Sequence, residues 1–193
     1  YVTVGISDEL VRAFQSGGVT SVTVTDYLGS KQWRLDSGAF DFPFNYLNDR
    51  YIQIDIVTDG YGVTDICGET PDYRSEKKYY TADFTVSGDF TVTAPVREVC
   101  GFKSMFTVNG PQPEVKGDRD VSGGFYPGVE YEILVPRGSG KLNEGAEFNG
   151  AAIEPFSEDS DGWHYRVTPV SGTDNTFICE CNDVSMLRLA KPE

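Results

Sequence analysis

The sequence predicts an all-β protein made of two β-sandwich domains in tandem, with one short helix near the N-terminus. Three observations predict this class. Apolar and polar residues alternate with a period of two in many short segments. Turn pairs such as Asp59-Gly60 and Asn149-Gly150 recur between those segments. The 193 residues, 39% of them hydrophobic, are enough for two small cores.

In the first half, each alternating segment predicts a strand with one buried face. The apolar members are Val2, Val4 and Ile6; Val22 and Val24; Ile52, Ile54 and Ile56; and Tyr80, Ala82, Phe84 and Val86. Ser87 and Gly88 form a turn pair after the last of these, and a further strand pattern follows at residues 89–94. We therefore expect the last two strands to pair with each other across that turn.

One segment has a helical pattern instead. Ser7 is a good helix N-cap, Asp8 and Glu9 suit a first turn, and the apolar residues that follow form a partial stripe. Gly17 and Gly18 end the pattern. The sequence therefore predicts a helix near residues 8–16.

An aromatic segment follows, in which Pro43 removes a ladder donor, so an edge strand or an extended loop fits it. The aromatic residues of this region are Trp33, Phe40, Phe42, Phe44 and Tyr46. They are candidates for a flat binding platform for a sugar or a protein partner. Aromatic residues alternating on one face also fill sandwich interiors, and that alternative stays open.

The domain boundary is predicted near residue 97, which gives domains at residues 1–97 and 98–193. The second half contains two clear alternating segments, Tyr131 to Val135 and Trp163 to Val167. Residues 111–128 are rich in Gly, Pro and charge and fit either a long loop or a second boundary.

The charge of the chain excludes two partner classes. With 16 Lys and Arg against 30 Asp and Glu, the formal net charge is -14, which repels nucleic acid and anionic lipid. No apolar run is long enough to span a bilayer, so we expect no membrane insertion in this segment. The chain begins at Tyr1 with no initiator Met and no signal-like stretch, so we expect a processed product or an excised segment of a longer protein.

The four cysteines form an even set, which favours disulfides in an exported protein: Cys67, Cys100, Cys179 and Cys181. Cys179 and Cys181 lie on one face of a strand, so they are poorly placed to bond each other. We expect Cys100 to be bridged to one of them. Buried thiols in a reducing compartment are the alternative.

The only histidine, His164, alternates outward from Trp163 and Tyr165, so we expect it to face solvent and to take part in no catalytic triad. We predict that the protein is not an enzyme. Carboxylate pairs such as Asp118 with Asp120 suit a glycosidase in principle, but small sandwiches seldom supply the deep cleft required.

Calcium is the one cofactor that the sequence suggests. Asp159 and Asp161 lie in a short acidic segment with the oxygen ligands that Ca²⁺ prefers, as does the segment at residues 117–121. Neither completes an EF-hand loop. A tight Asp-Gly turn explains the first segment equally well.

The segments at residues 18–25 and 80–94 together resemble the tandem immunoglobulin-like repeats of Gram-positive surface and S-layer-associated proteins, as does the segment at residues 162–177. The resemblance implies immunoglobulin-like sandwiches that act as spacer, adhesin or assembly modules. This chain differs from the pattern of those repeats in its four cysteines and in residues 26–49.

These observations predict a non-catalytic extracellular adhesion or structural module at a cell surface. Its partners would be a protein, a glycan or copies of itself. Two alternatives remain: a subunit of an extracellular filament or virion that assembles by strand addition through residues 1–6, and a carbohydrate-binding module.

Overall fold

The computed structural model of the chain describes residues 2–26, 32–35, 42–44, 50–106, 112–137 and 141–182. The fold is mostly β with one short helix, as the alternation predicted. It divides into two compact units. Unit 1 comprises residues 1–99 together with 119–124, and unit 2 comprises residues 100–118 and 125–193. The short stretch 119–124 therefore belongs to unit 1 although it lies within the sequence of the second half.

Among its described residues, unit 1 contains ten strands and the helix. The strands are β1 (Val2–Ile6), β2 (Val19–Asp26), β3 (Gln32–Leu35), β4 (Phe42–Phe44), β5 (Arg50–Thr58), β6 (Tyr61–Val63), β7 (Asp72–Arg74), β8 (Tyr79–Val86), β9 (Phe90–Val92) and β10 (Val96–Glu98). They form a five-stranded sheet of order β3-β2-β5-β8-β7, a three-stranded sheet of order β4-β1-β9, and the pair β10-β6.

The helix α1 (Asp8–Gln15) confirms the capping prediction. The Ser7 side chain accepts a hydrogen bond from the Leu10 amide at 3.3 Å, which satisfies one of the free donors of the first turn. Leu10 is fully buried in the core. After the helix, Gly17 has a φ of 81°, a conformation that glycine adopts without strain, and the chain turns into β2.

The two larger sheets of unit 1 share one apolar core. The alternating isoleucines of β5 are fully buried, as are Val4 of β1 and Val22 of β2. The period-two alternation therefore predicted correctly which face of β1, β2 and β5 points into the core.

The predicted pairing between β8 and β9 is wrong. Strand β8 pairs with β5 and β7, whereas β9 pairs in parallel with β1 in the other sheet. The Ser87-Gly88 turn thus carries the chain from one sheet to the other. The rings of Phe84 and Phe90 contact each other with centroids 5.5 Å apart, so apolar packing joins the two strands where hydrogen bonds were expected.

In the part of unit 2 that the structure describes, eight strands form two four-stranded sheets. They are β11 (Gly101–Phe106), β12 (Glu114–Lys116), β13 (Tyr131–Pro136), β14 (Lys141–Phe148), β15 (Ala151–Ile153), β16 (Ser157–Glu158), β17 (Gly162–Val167) and β18 (Asp174–Asn182). The sheet orders are β11-β18-β14-β15 and β12-β13-β17-β16. Tyr165 of one sheet and Phe177 of the other are fully buried, with ring centroids 5.5 Å apart. The two sheets therefore pack face to face around one core.

A buried amide network fixes one end of unit 2. Asn175 is fully buried, and its side-chain Oδ1 accepts hydrogen bonds from the Asn149 side chain and the Val170 amide, both at 2.8 Å. Asn149 and Gly150 both have positive φ, which is the geometry of the tight turn between β14 and β15. The Asn149 side-chain Oδ1 also accepts a hydrogen bond from the Thr176 amide, so this turn is tied to β18.

Among the described residues, no disulfide joins Cys67, Cys100 and Cys179. The parallel pairing of β11 with β18 aligns Gly101 with Asp174 and Phe106 with Cys179. Cys100 therefore lies about 20 Å from Cys179 along the strands, at roughly 3.3 Å per residue, whereas a disulfide needs Cα atoms within about 7 Å. Cys181 lies two residues further along β18. The expected bridge from Cys100 to either cysteine is therefore wrong.

No helix among the residues that the structure describes is long and apolar enough to cross a membrane.

Candidate functional site

The outer face of the β12-β13-β17-β16 sheet carries a group of polar side chains around His164. In the antiparallel register, His164 pairs with Leu134 on one side and with Ser157 on the other. Its neighbours Trp163 and Tyr165 point into the core and are buried. Alternation therefore placed His164 on the correct face of the sheet.

The prediction that His164 faces solvent is wrong, because only 8% of the residue is exposed. Its Nδ1 lies 2.5 Å from a carboxylate oxygen of Glu132, and its Nε2 lies 2.9 Å from a carboxylate oxygen of Asp159. The hydrogen bonds to Asp159 and then to Glu132 raise the pKa of His164 above its ordinary value. Both ring nitrogens are thus engaged, and neither faces a nucleophile.

Asp159 organises the turn between β16 and β17. Its Oδ1 accepts hydrogen bonds from the amides of Asp161 at 2.8 Å and Gly162 at 3.2 Å, while its Oδ2 faces His164. The hydrogen bond from His164, followed by that from the Asp161 amide, lowers the pKa of Asp159. Both carboxylate oxygens of Asp159, one of the two candidate calcium ligands, therefore have partners within the protein.

Arg137 makes a second attachment to the same turn. Its guanidinium donates to the Asp159 carbonyl and to a carboxylate oxygen of Glu158 at 3.0 Å. The guanidinium carbon lies 5.2 Å from the centroid of the Trp163 ring. The Asp159–Gly162 turn is thus held by an arginine, whose charge does not change in the physiological range, and by a histidine, whose charge does.

An exposed aromatic residue borders this group. Phe156 is 43% exposed, and the guanidinium carbon of Arg166 lies 3.9 Å from its ring centroid. The Phe156 ring also lies 6.0 Å from that of His164. An accessible aromatic ring under an arginine is the kind of pair that concentrates binding energy in protein interfaces.

Unit 1 contains a buried carboxylate that the sequence placed in an acidic surface pair. Asp120 is 4% exposed, and its Oδ2 accepts hydrogen bonds from the Tyr80 hydroxyl at 2.6 Å and the Ser122 amide at 2.9 Å. Burial, followed by the hydrogen bond to Asp120, raises the pKa of Tyr80 above its usual range. Asp118, the other member of that pair, belongs to unit 2.

A polar cleft of about 320 Å³ opens beside β8 in unit 1. Strand β7 pairs with β8 only as far as Thr81, and the cleft continues along the following residues to Thr85. Three carboxylates line it: Glu69, Asp72 and Asp83. The cleft offers threonine hydroxyls and carboxylates along a sheet edge.

The proposed aromatic platform is only partly within the described residues. Phe40 and Tyr46 lie outside them. Trp33 belongs to β3 of the five-stranded sheet, whereas Phe42 and Phe44 belong to β4 at the edge of the three-stranded sheet. The edge position of β4 agrees with the expectation from Pro43. The platform itself stays a prediction.

Sequence reasoning missed Glu132 and Tyr80 as parts of polar sites. Both lie on strands whose alternation was read for its apolar members only. Glu132 meets a residue 32 positions later in the chain, and Tyr80 meets one 40 positions later. No local pattern contains that information.

Comparisons with protein families, curated proteins and solved structures found no match to this chain. Within the described ranges, no group of three or more His, Cys, Asp and Glu side chains is arranged to hold a metal ion.

Proposed function

We propose that this chain is a non-catalytic adhesion or structural module of an extracellular surface protein. The observation that carries this proposal is the succession of two β units, each with its own apolar core. Modules of this kind keep their shape without a cofactor and are suited to repetition along an extended protein. The immunoglobulin-like character of each unit and the extracellular location are parts of the proposal.

The location is tested by labelling intact source cells with an antibody raised against the purified chain. The proposal expects labelling without permeabilisation, whereas labelling only after permeabilisation contradicts it. Because no disulfide is formed among the described cysteines, the extracellular assignment does not draw support from disulfides. It is supported by the acidic composition and by the alternation shared with surface repeats.

The adhesive part of the proposal is supported by the Phe156–Arg166 pair on the outer face of unit 2. A pull-down from the surface fraction with Phe156→Ala tests it, with Val170→Ala as the control because Val170 is a comparably exposed apolar residue at 52%. We expect loss of captured partner only for Phe156→Ala. Equal capture by both variants and by the parent chain contradicts a role for this pair.

A carbohydrate-binding role is the second candidate, favoured by the polar cleft beside β8 and its carboxylates. A glycan array with Asp83→Ala tests the cleft, and Phe42→Ala tests the aromatic segment. Binding that is lost with Asp83→Ala and kept with Phe42→Ala supports the cleft. Absence of any glycan binding removes this candidate.

Assembly by donation of the N-terminal strand is the less favoured alternative. Strand β1 already pairs with β4 on one side and with β9 on the other, so it has to leave its own sheet before it can join a neighbour. Electron microscopy of the purified chain separates the two ideas. Isolated particles support a spacer or adhesin, and polymers support assembly.

A further inference from the structure

His164 is held between two carboxylates that come from different parts of unit 2. Glu132 lies on the neighbouring strand β13, and Asp159 lies in the turn that follows β16. The distances of 2.5 Å and 2.9 Å are those of direct hydrogen bonds, and the residue is 8% exposed. The histidine therefore joins this turn to the body of the sheet.

The geometry fits only one protonation state of the ring. A neutral imidazole carries one N–H, so one of its nitrogens presents a lone pair. With a carboxylate at each nitrogen, that lone pair meets a negative oxygen, which is repulsive. The imidazolium donates from both nitrogens and satisfies both carboxylates.

The surrounding charges favour the imidazolium. On β12, the register places Glu114 beside Leu134 and Lys116 beside Glu132. Arg166 lies on the strand of His164 itself and faces Glu130 at 3.5 Å, and Arg137 is occupied by Glu158 and the Asp159 carbonyl. The charged groups around the histidine are thus Glu114, Lys116, Glu130, Glu132, Arg137, Glu158, Asp159, Asp161 and Arg166. Six of these nine are acids.

Besides the Arg137 side chain, backbone hydrogen bonds hold the segment attached through Asp159, among them one from the Arg137 amide to the Asp161 carbonyl at 2.8 Å. Strand β16 is two residues long and lies at the edge of its sheet. Its backbone bonds to β17 include those from the Phe156 amide to the His164 carbonyl at 2.8 Å and from the Asp159 amide to the Gly162 carbonyl at 3.0 Å. A short edge strand depends strongly on side-chain attachments of this kind.

We propose that His164 is a pH-dependent latch. When protonated, it holds β16 and the Asp159–Gly162 turn against β17, and when it loses its proton the turn and the edge strand loosen. The arginine attachment remains in both states, so loosening is local and the sheet stays folded. The latch opens the edge of β17 as pH rises.

The sign of the pH dependence follows from two shifts. The pKa of His164 is raised in the folded protein, so its contribution is complete below about 6.5, the ordinary value, and is lost as pH rises through the folded value. The pKa of Asp159 is lowered, so its contribution is present above about 3.9 and is lost as pH falls through the folded value. The latch is closed between these limits.

Nuclear magnetic resonance tests the latch directly, because the chain has one histidine and its ring signals are unambiguous. We expect the imidazole of the parent chain to titrate above about 6.5. Glu132→Gln and Asp159→Asn are each expected to lower that pKa. Glu154→Gln is the matched control: it removes the same charge from an exposed residue nearby and should leave the titration almost unchanged.

Amide exchange reports the opening itself. The protection factors of the Phe156 and Asp159 amides should fall several-fold as pH rises through the imidazole titration, while the Tyr165 amide in the centre of β17 keeps its protection. In Asp159→Asn, the fall should move to lower pH or disappear. If that variant does not fold, Glu132→Gln provides the same comparison.

Two results overturn the proposal. The first is a pKa of the His164 imidazole at or below about 6.5. The second is an exchange protection of the Phe156 and Asp159 amides that does not change with the protonation of His164. Both measurements are made on the folded chain and do not involve its location or partner. The latch therefore stands or fails independently of the proposed function.

Discussion

The hydrogen bond between Tyr80 and Asp120 provides a sharp test of unit 1. Tyr80→Phe removes the hydroxyl that donates to the Asp120 Oδ2 at 2.6 Å and keeps the ring, which packs on Tyr73 with centroids 5.1 Å apart. Tyr80 is 2% exposed and Asp120 is 4% exposed. Among the described residues, the Asp120 Oδ1 has no hydrogen-bond partner, so the carboxylate has little to replace the lost bond.

The expected cost follows from the burial of both groups. A hydrogen bond to a charged group contributes about 1.5–3 kcal/mol to stability, more than a neutral one. Because water cannot reach the carboxylate without opening the packing around it, we expect Tyr80→Phe to reduce the free energy of unfolding of unit 1 by about 2 kcal/mol. With a urea slope of about 2 kcal/mol/M, the midpoint falls by about 1 M.

A double-mutant cycle with Asp120→Asn identifies the charge as the cause. Asparagine keeps an acceptor for both donors and removes the buried charge, so Tyr80→Phe should cost only about 1 kcal/mol in that background. The assay is urea unfolding followed by circular dichroism, with amide resonances of unit 1 to assign the transition. Tyr79→Phe is the control, and we expect it to remain within about 0.5 kcal/mol of the parent.

Two outcomes refute the reasoning about this bond. If Tyr80→Phe changes the unfolding free energy by less than about 0.5 kcal/mol, the buried bond does not stabilise unit 1. If the cost is the same with aspartate or asparagine at position 120, the hydroxyl acts by packing and not through the carboxylate.

Further predictions concern the two cores and the thiols. Phe177→Ala should cost about 3–5 kcal/mol in thermal unfolding of unit 2 because the ring is fully buried; a loss below about 1 kcal/mol contradicts its place in the core. Gly62→Ala should destabilise unit 1 by about 1–3 kcal/mol, since an added Cβ lies 2.2 Å from the Asp120 Oδ1, and an unchanged urea midpoint argues against that close approach. Burial raises the pKa of the Cys67 thiol, so its alkylation by iodoacetamide should be slow at neutral pH and faster as pH rises. The buried thiols of unit 2 should react only after unfolding, and mass spectrometry of the non-reduced chain should find no bridge between them.

The position of residues 119–124 was not accessible from the sequence. They lie in a segment rich in Gly, Pro and charge, for which a loop or a boundary was predicted. The structure assigns them to unit 1, where Asp120 meets Tyr80 and the turn closes through the hydrogen bond from the Gly123 amide to the Asp120 carbonyl. An acidic residue in a polar segment is expected to be exposed. Asp120 is buried instead, and its partner Tyr80 lies 40 positions earlier in the chain.

The sequence by itself determined several of the strands, their inward faces and the start of the helix. Alternation and capping depend on the geometry of a few consecutive residues, and so Ile54, Ile133 and Ser7 have the positions that their local patterns predict.

Only the tertiary structure decided which strands pair and which polar residues are covered. Strands β8 and β9 are adjacent in the chain but belong to different sheets, because burial of Phe84 against Phe90 competes with a local hairpin. His164 has an outward position on its strand, but Glu132 and Asp159 cover it from another strand and a turn. The physical reason is that a strand's period fixes the direction of a side chain, whereas its neighbours are supplied by residues far away in the sequence.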